Sequence, residues 1–211
     1  MTEKAGYAFH RPHPWHGLTP GEHAPEHVNV FVEMTPFDHV KYEIDKSTGF
    51  IHVDRPQRTT AQMPCLYGFI PQTYCAERVS ALSPRSTRGD GDPIDICVVS
   101  ERPINRAEIT LNAWVVGGLQ MVDGGEADDK IVAILDGDFV HGHIRDIHDL
   151  PTITIERIRH YFLTYKMKPS QTQSVTGVEP YGRDHALKVI EASIADYGDH
   201  FGDAKRAADE G

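Results

Sequence analysis

The order of hydrophobic patterns constrains the fold most strongly, because several segments with a two-residue period precede two segments with a helical period. The first begins at Val28 and places Val28, Val30 and Val32 on one face, and Pro36 ends it. Further strands are expected over residues 40–45, 50–54, 94–100, 111–122 and 130–135. The second and third strands flank a four-residue hairpin loop at residues 46–49.

Two helices are expected in the last third of the chain, with a polar loop over residues 169–182 between them. Apolar residues recur at steps of three and four in both, at Ile155, Ile158, Phe162 and Tyr165 and again at Leu187, Ile190, Ile194 and Tyr197. Five or more strands before two late helices indicate an α+β fold, a small antiparallel barrel with two C-terminal helices packed outside.

Residues 1–27 are rich in His and Pro and show neither a strand period nor a helix period. We expect an N-terminal arm that lies on the domain or on a neighbouring subunit, with Trp15 as its anchor. A metal-binding tail is the alternative, although the histidine spacing matches no ligand pattern. Residues 28–211 then form a single domain.

Charge and cysteine content exclude several classes of protein. The chain has 21 Lys and Arg against 31 Asp and Glu, a formal net charge of −10, so a basic nucleic-acid binder or membrane-surface protein is not expected. The longest largely apolar run, residues 113–122, is too short to span a bilayer, and residues 1–27 do not resemble a signal peptide. Three cysteines without metal-ligand spacing predict free thiols, and we expect a cytoplasmic protein.

The sharpest chemical motif is the acidic turn Asp90-Gly91-Asp92-Pro93-Ile94-Asp95, which leads directly into an apolar strand. Three acids on one turn repel one another unless a cation lies among them, and hard divalent ions prefer such oxygen clusters. An EF-hand is excluded, because Ile94 would be a ligand and Asp95 would replace the obligatory glycine. A solvated acidic turn without function is the alternative.

A second acidic segment, residues 123–130, follows another strand, and taken alone it is an ordinary hairpin loop. Glu33 ends the first strand, so acids at several strand ends can converge on one mouth of a barrel. The basic residues Lys41, Arg55, Lys130 and Lys166 stand at similar positions, with Tyr165 beside Lys166. Acids for metal ions combined with cationic and phenolic donors are typical of sites for metal–polyphosphate complexes. The glycine-rich motifs of nucleotide-binding folds, Gly-x-x-x-x-Gly-Lys and Gly-x-Gly-x-x-Gly, do not occur in the sequence.

The order of these motifs resembles the soluble family I inorganic pyrophosphatases over about residues 28–167. The acidic turn matches the family signature Asp-x-Asp-Pro-hydrophobic-Asp. Around it, in family order, stand the segments 32–34, 41–46, 53–55, 64–69, 121–130 and 165–166. Several segments in register are far more specific than one short motif.

The resemblance implies roles for thirteen residues and a five-stranded OB-like barrel. Metal ions, several Mg²⁺ per subunit, would be held by Asp90, Asp92, Asp95, Asp123, Asp128 and Glu33. Phosphate oxygens would be held by the catalytic donors Lys41, Arg55, Tyr67, Lys130, Tyr165 and Lys166, and Glu43 would support the site. The family also implies a homo-oligomer, a dimer or a hexamer, and His160 and Tyr161 are expected contact residues.

Two features depart from the compact bacterial form of the family. Residues 71–89 form an insertion that carries Arg78, Arg85 and Arg88, and we expect it near the site or at an interface. A further lysine that the family often supplies after Lys166 has no counterpart that we assign here.

The expected reaction is hydrolysis of inorganic pyrophosphate to two phosphates by a metal-activated water, without a phosphoenzyme. Asp92 is the expected proton acceptor, because Pro93 lets it point away from Asp90 and Asp95. Two other classes remain open from the residues: a single-stranded nucleic-acid module, which needs a basic groove, and an acidic buffer of divalent cations. The buffer leaves the basic residues unexplained.

Overall fold

A computed structural model describes residues 11–167 and 175–209 of the chain. The first ten residues of the expected arm and the segment 168–174 of the expected loop lie outside this description. The elements in chain order are β1 (His27–Met34), β2 (Val40–Ile44), β3 (Ile51–Pro56), β4 (Leu66–Phe69), α1 (Glu77–Ala81), β5 (Arg88–Gly89), β6 (Asp95–Val99), β7 (Thr110–Asp123), β8 (Glu126–Ala127), β9 (Lys130–Leu135), a 3₁₀ helix (Ile147–Asp149), α2 (Thr152–Thr164), β10 (Val175–Gly182) and α3 (Arg183–Asp209).

Five strands form a closed ring of hydrogen-bonded neighbours in the order β1, β4, β6, β9 and β7, and β7 pairs back with β1. This arrangement confirms the α+β class. The expectation of an antiparallel barrel is wrong at one pair of the ring, because β6 and β9 run parallel, with Asp95 and Lys130 as their first paired residues. A parallel pair needs a crossover, and here β7 lies in the chain between the two strands.

The remaining strands lie outside the ring. The hairpin of β2 and β3 forms a separate two-stranded sheet around the expected loop. The expectation of a polar loop over residues 169–182 is wrong for its second half, which forms β10. This strand pairs with the part of β7 that does not pair with β1. The short strands β8 and β5 extend the sheet from the far end of β7.

The helices α2 and α3 form where the helical period predicted them. Ile158 and Phe162 of α2 pack into the core, as the apolar steps require. Tyr161 is buried beside them, and its hydroxyl accepts a hydrogen bond of 2.9 Å from Gln57 Nε2. This burial corrects the expectation that Tyr161 is an outward contact residue, whereas His160 is exposed.

The described part of the N-terminal segment packs through Trp15, which is buried. Its Nε1 donates a hydrogen bond of 2.9 Å to the Thr73 carbonyl oxygen, and its ring stacks on His16 and meets Phe201 of α3 edge-on. Trp15 and His16 therefore lie against α3 and the segment that follows β4.

All three cysteines are buried free thiols, as expected. Within the described residues, no helix combines the length and apolar character needed to cross a membrane.

Candidate active site

One cavity of about 340 Å³ opens at the ends of the ring strands, between the β2–β3 hairpin and the end of α2. All thirteen residues that the family resemblance singled out line it: Glu33, Lys41, Glu43, Arg55, Tyr67, Asp90, Asp92, Asp95, Asp123, Asp128, Lys130, Tyr165 and Lys166. The fold thus brings together residues that lie as far apart in the chain as Glu33 and Lys166.

The acidic turn enters this cavity with a backbone shape that its glycine permits. Gly91 has a φ of 76°, which lies in the left-handed region, and the Asp92 N–H donates a hydrogen bond of 3.0 Å to Asp90 Oδ1. The Ile94 N–H donates 2.9 Å to Oγ1 of the buried Thr73. These bonds fix the turn just before Asp95 begins β6.

The two acidic segments come close to each other at Asp90 and Asp128. Burial, followed by the nearby charge of Asp128, raises the pKa of Asp90 to about 9. Burial of a carboxyl group and a second acid close to it both disfavour the ionised form. A divalent cation between them would favour the ionised forms of both.

Lys130 is the most buried cation of the site, with 2% of its side chain exposed. Its ammonium contacts both Asp95 and Asp128. Burial alone lowers the pKa of this lysine, but the two carboxylates outweigh burial and hold the pKa well above its ordinary value. Lys130 therefore stays charged at the floor of the cavity.

Glu33 is bound to the hairpin at the edge of the cavity. Its Oε1 accepts a hydrogen bond of 2.8 Å from the Ile44 N–H, and 5% of the residue is exposed. Burial, reinforced by the charge of Asp95, raises the pKa of Glu33 to about 8.

The hairpin supplies two further cations. Lys41 and Arg55 are register partners on β2 and β3, and each contacts Asp54 or Glu43. Burial lowers the pKa of Lys41, and the nearby Arg55 acts in the same direction. Among the described residues, Nη2 of Arg55 is buried without a hydrogen-bond partner, so this donor remains available to an oxygen of a ligand.

Two tyrosines complete the wall. Tyr67 is buried, and burial followed by the repulsion of Asp95 raises the pKa of its hydroxyl well above the usual range. Tyr165 follows α2, and the ammonium of Lys166 lies over its ring, 5.2 Å from the ring centroid. Both hydroxyls are therefore neutral hydrogen-bond donors at neutral pH.

Three charged lining residues were not assigned from the sequence: Lys46, Asp54 and Glu126. Lys46 lies in the hairpin loop and contacts the Asp92 carboxylate, which is distant in the chain. Asp54 and Glu126 stand within motifs that the family resemblance covers, and their positions beside Arg55 and Asp128 are the signals that would have pointed to them.

The oxygen donors of the cavity are of the kind that binds divalent cations. They are carboxylate oxygens, the ligands that Mg²⁺ prefers, and each of Asp92, Asp95, Asp123 and Asp128 contacts a lysine ammonium. Within residues 11–167 and 175–209, no three acidic, histidine or cysteine side chains converge into a complete ion site. The carboxylate oxygens and their mutual repulsion are suited to binding divalent cations. In this structure lysine ammonium groups supply the positive charge beside these carboxylates.

The chain was compared with protein families and with individual proteins. A family model described as inorganic pyrophosphatase matches residues 30–198. An inorganic pyrophosphatase of Chlamydia caviae is 43% identical, with 93% of this chain and 95% of that protein covered. Soluble inorganic pyrophosphatase 1 of Arabidopsis thaliana is 36% identical, with 89% and 81% covered.

Solved structures show the same similarity. The crystal structure of an inorganic pyrophosphatase from Thermus thermophilus aligns with a TM-score of 0.74 at 31% identity, covering 89% of this chain and 99% of that one. One from Neisseria gonorrhoeae aligns with a TM-score of 0.73 at 31% identity, covering 86% and 96%.

Proposed function

Because the chain belongs to the family I soluble inorganic pyrophosphatases and hydrolyses inorganic pyrophosphate, we propose that the cavity described above is its catalytic centre. The observation that carries this proposal is the convergence of six aspartates with five Lys or Arg side chains in one cavity. A net charge of −10 does not oppose an anionic substrate here, because the acids are neutralised locally by cations.

The metal-binding residues would be Asp90, Asp92, Asp95, Asp123 and Asp128, with Glu33 at the edge. Several Mg²⁺ ions held there would supply neutralisation of the substrate charge and a lowered pKa for the attacking water. The acidic segments contribute by presenting Asp90 and Asp128 to the same cavity, where the pKa of Asp90 is raised by burial and by the charge of Asp128.

The substrate-binding residues would be the donors on the remaining walls. Arg55 offers its unpartnered Nη2, Tyr67 and Tyr165 offer neutral hydroxyls, and Lys41, Lys130 and Lys166 offer ammonium groups. These donors stabilise the negative charge that develops on the departing phosphate. Glu43 contacts Lys41 and orients it, which is the supporting role proposed for this acid.

Asp92 would accept the proton of the attacking water. Its side chain is 46% exposed and reaches into the cavity from the acidic turn, while its backbone N–H is bound to Asp90. No phosphoenzyme is needed, because the water oxygen bonds directly to phosphorus as the bridging P–O bond breaks, and both products leave as phosphate.

Phosphate release from pyrophosphate tests this function. We expect hydrolysis that requires a divalent cation, so that complete removal of metal with EDTA stops it and Mg²⁺ restores it. Undiminished release after complete chelation would contradict the metal-dependent mechanism. The same assay separates an enzyme from a cation buffer, which binds metal without releasing phosphate.

Other proposals concern the setting of the site. The closed ring of five strands supports assignment of the ring as a small OB-like barrel with α2 and α3 outside it. The resemblance supports a homo-oligomer, a dimer or a hexamer, in the cytoplasm. The division into an arm at 1–27 and one domain at 28–211 remains a proposal.

A further inference from the structure

Residues 71–89 connect β4 to the acidic turn, and their first half is bonded to that turn. The Cys75 N–H donates a hydrogen bond of 2.8 Å to the Asp92 carbonyl oxygen, and the Cys75 carbonyl oxygen accepts one of 3.0 Å from the Gly91 N–H. Cys75 thereby holds both sides of the turn that carries Asp90 and Asp92.

The second half of the same segment is bonded to the other acidic loop. The Thr87 N–H and hydroxyl both donate to the Gly125 carbonyl oxygen, at 2.8 Å and 3.1 Å. The strand β5 runs parallel to β8, and Arg88 Nε donates 2.8 Å to Oε1 of its register partner Glu126. This loop lies between Asp123 and Asp128.

The two halves are in direct contact with each other at Gly89. A Cβ atom at this position would lie 2.1 Å from the Cys75 carbonyl oxygen, so only glycine permits this approach. The segment therefore closes on itself, and each of its two ends is bonded to a different acidic loop.

A buried acid on α3 anchors the segment. Asp196 Oδ2 accepts backbone N–H bonds from Ala76, Arg78 and Val79 at 3.1 to 3.2 Å, and Arg78 also contacts Asp196 through its side chain. Asp196 is almost fully buried, so this connection fixes the start of α1 to the body of the protein.

We propose that residues 71–89 act as a clamp that sets the distance between the two acidic loops, with Arg88 and Gly89 as positioning residues for metal binding. This inference rests on the proposed function, in which Asp90, Asp95, Asp123 and Asp128 hold the cations. Because these carboxylates repel one another when no metal is bound, a tie through the backbone keeps them close and lowers the cost of assembling the site.

The experiment measures Mn²⁺ binding to the full-length protein by calorimetry, without pyrophosphate. For Gly89→Ala we expect Mn²⁺ affinity to fall about 10- to 100-fold, the range for residues that support metal ligands. For Arg88→Ala, which removes an exposed ion pair, we expect a fall of about threefold. In both variants hydrolysis should require a higher Mg²⁺ concentration. The change in kcat at saturating Mg²⁺ should be smaller than the change in metal affinity.

The sign of the effect separates positioning from simple electrostatics. Removing a positive charge beside an acidic site should by itself tighten cation binding, whereas loosening the clamp should weaken it. Arg85→Ala is the matched control, because Arg85 is an exposed arginine of the same segment that lies against Gly177 of β10. Its Mn²⁺ affinity should stay equal to that of the wild type or rise slightly.

The clamp is overturned if Arg88→Ala binds Mn²⁺ as tightly as the wild type or more tightly, since this surface variant leaves the core unchanged. The clamp is also overturned if Arg85→Ala loses as much Mn²⁺ affinity as Arg88→Ala does. Failure of the proposed function would look different, because the wild type itself would then release no phosphate in Mg²⁺.

Discussion

Oε1 of Glu33 accepts a hydrogen bond of 2.8 Å from the backbone N–H of Ile44, and this bond joins the end of β1 to the β2–β3 hairpin at the cavity. Glu33 thus stabilises the fold through one carboxylate oxygen. Burial and the negative charge of Asp95 both oppose ionisation of its carboxyl group and raise its pKa. Structural and chemical roles of Glu33 can therefore be separated by substitution.

We expect Glu33→Gln to keep the bond to Ile44 while removing the ability to ionise. Its melting temperature at neutral pH should equal or exceed that of the wild type, because burial and Asp95 oppose ionisation of the carboxyl group in the folded state but not in the unfolded chain. Metal affinity should fall by about 10-fold or more, as measured from the rate of hydrolysis at increasing Mg²⁺ concentrations. Glu33→Ala should in addition lose about 1–3 kcal/mol of stability, because the buried Ile44 N–H is left without its acceptor. Normal Mg²⁺ dependence in Glu33→Gln would remove this residue from the metal site.

Asp92→Asn tests the proposed proton acceptor. The amide keeps the shape and one ligand oxygen but cannot take a proton, so kcat should fall by about 10²–10⁴ at saturating Mg²⁺. Mg²⁺ affinity should fall less than in Asp95→Asn, and stopped assays of phosphate release across a Mg²⁺ titration measure both quantities. If Asp92→Asn keeps near-normal kcat, Asp92 is only a ligand.

His16 predicts a pH dependence of stability that is independent of catalysis. Its Nδ1 lies 2.7 Å from the Tyr197 hydroxyl and its ring stacks on Trp15, and burial, with a smaller effect of His13, lowers its pKa to about 4. Between pH 6.5 and 4 the unfolded chain then binds more protons at this position than the folded one. The free energy of unfolding should therefore fall as pH falls through that window.

Urea unfolding at pH 7 and at pH 4.5 measures this effect. We expect the loss of stability between the two pH values to be smaller in His16→Gln than in the wild type. His143→Gln, which changes an exposed histidine, should show the wild-type loss. Equal losses in all three proteins would show that His16 does not contribute.

Sedimentation tests the proposed homo-oligomer. The protomer has a mass of 23.6 kDa, and it exposes apolar side chains such as Ile153, 58% exposed, and Phe139, 94% exposed. Burial of such residues between copies favours association. We expect a species of two or six protomers at micromolar concentration, and a stable monomer there would refute this proposal.

The long strands were predictable because their residues carry the pattern that burial imposes. The strand β9 was predicted with its observed bounds, and β1 and β7 were predicted to within a residue or two. The strand β4 has only four residues, all buried, so it shows no alternation. The strand β10 contains Gly177, Glu179 and Pro180, which indicate a loop, and only its pairing with β7 makes it a strand.

The residues that line the cavity were predictable, but the contacts between them were not. Short motifs name the acids and cations because each motif is local in the chain. The contact between Lys46 and Asp92 depends on how the hairpin folds over the acidic turn, which no local pattern encodes. The parallel pairing of β6 and β9 was missed for the same reason, since strand direction follows from the whole topology.

That parallel pair also has a consequence for the order in which the protein folds. Asp95 and Lys130 become neighbours only when β6 and β9 align across the intervening chain, a non-local contact that forms slowly compared with a helix. During refolding from denaturant, helical circular dichroism should therefore return before phosphate release does. We expect any early, partly helical species to release no phosphate, so that recovery of enzymatic turnover marks completion of the strand ring.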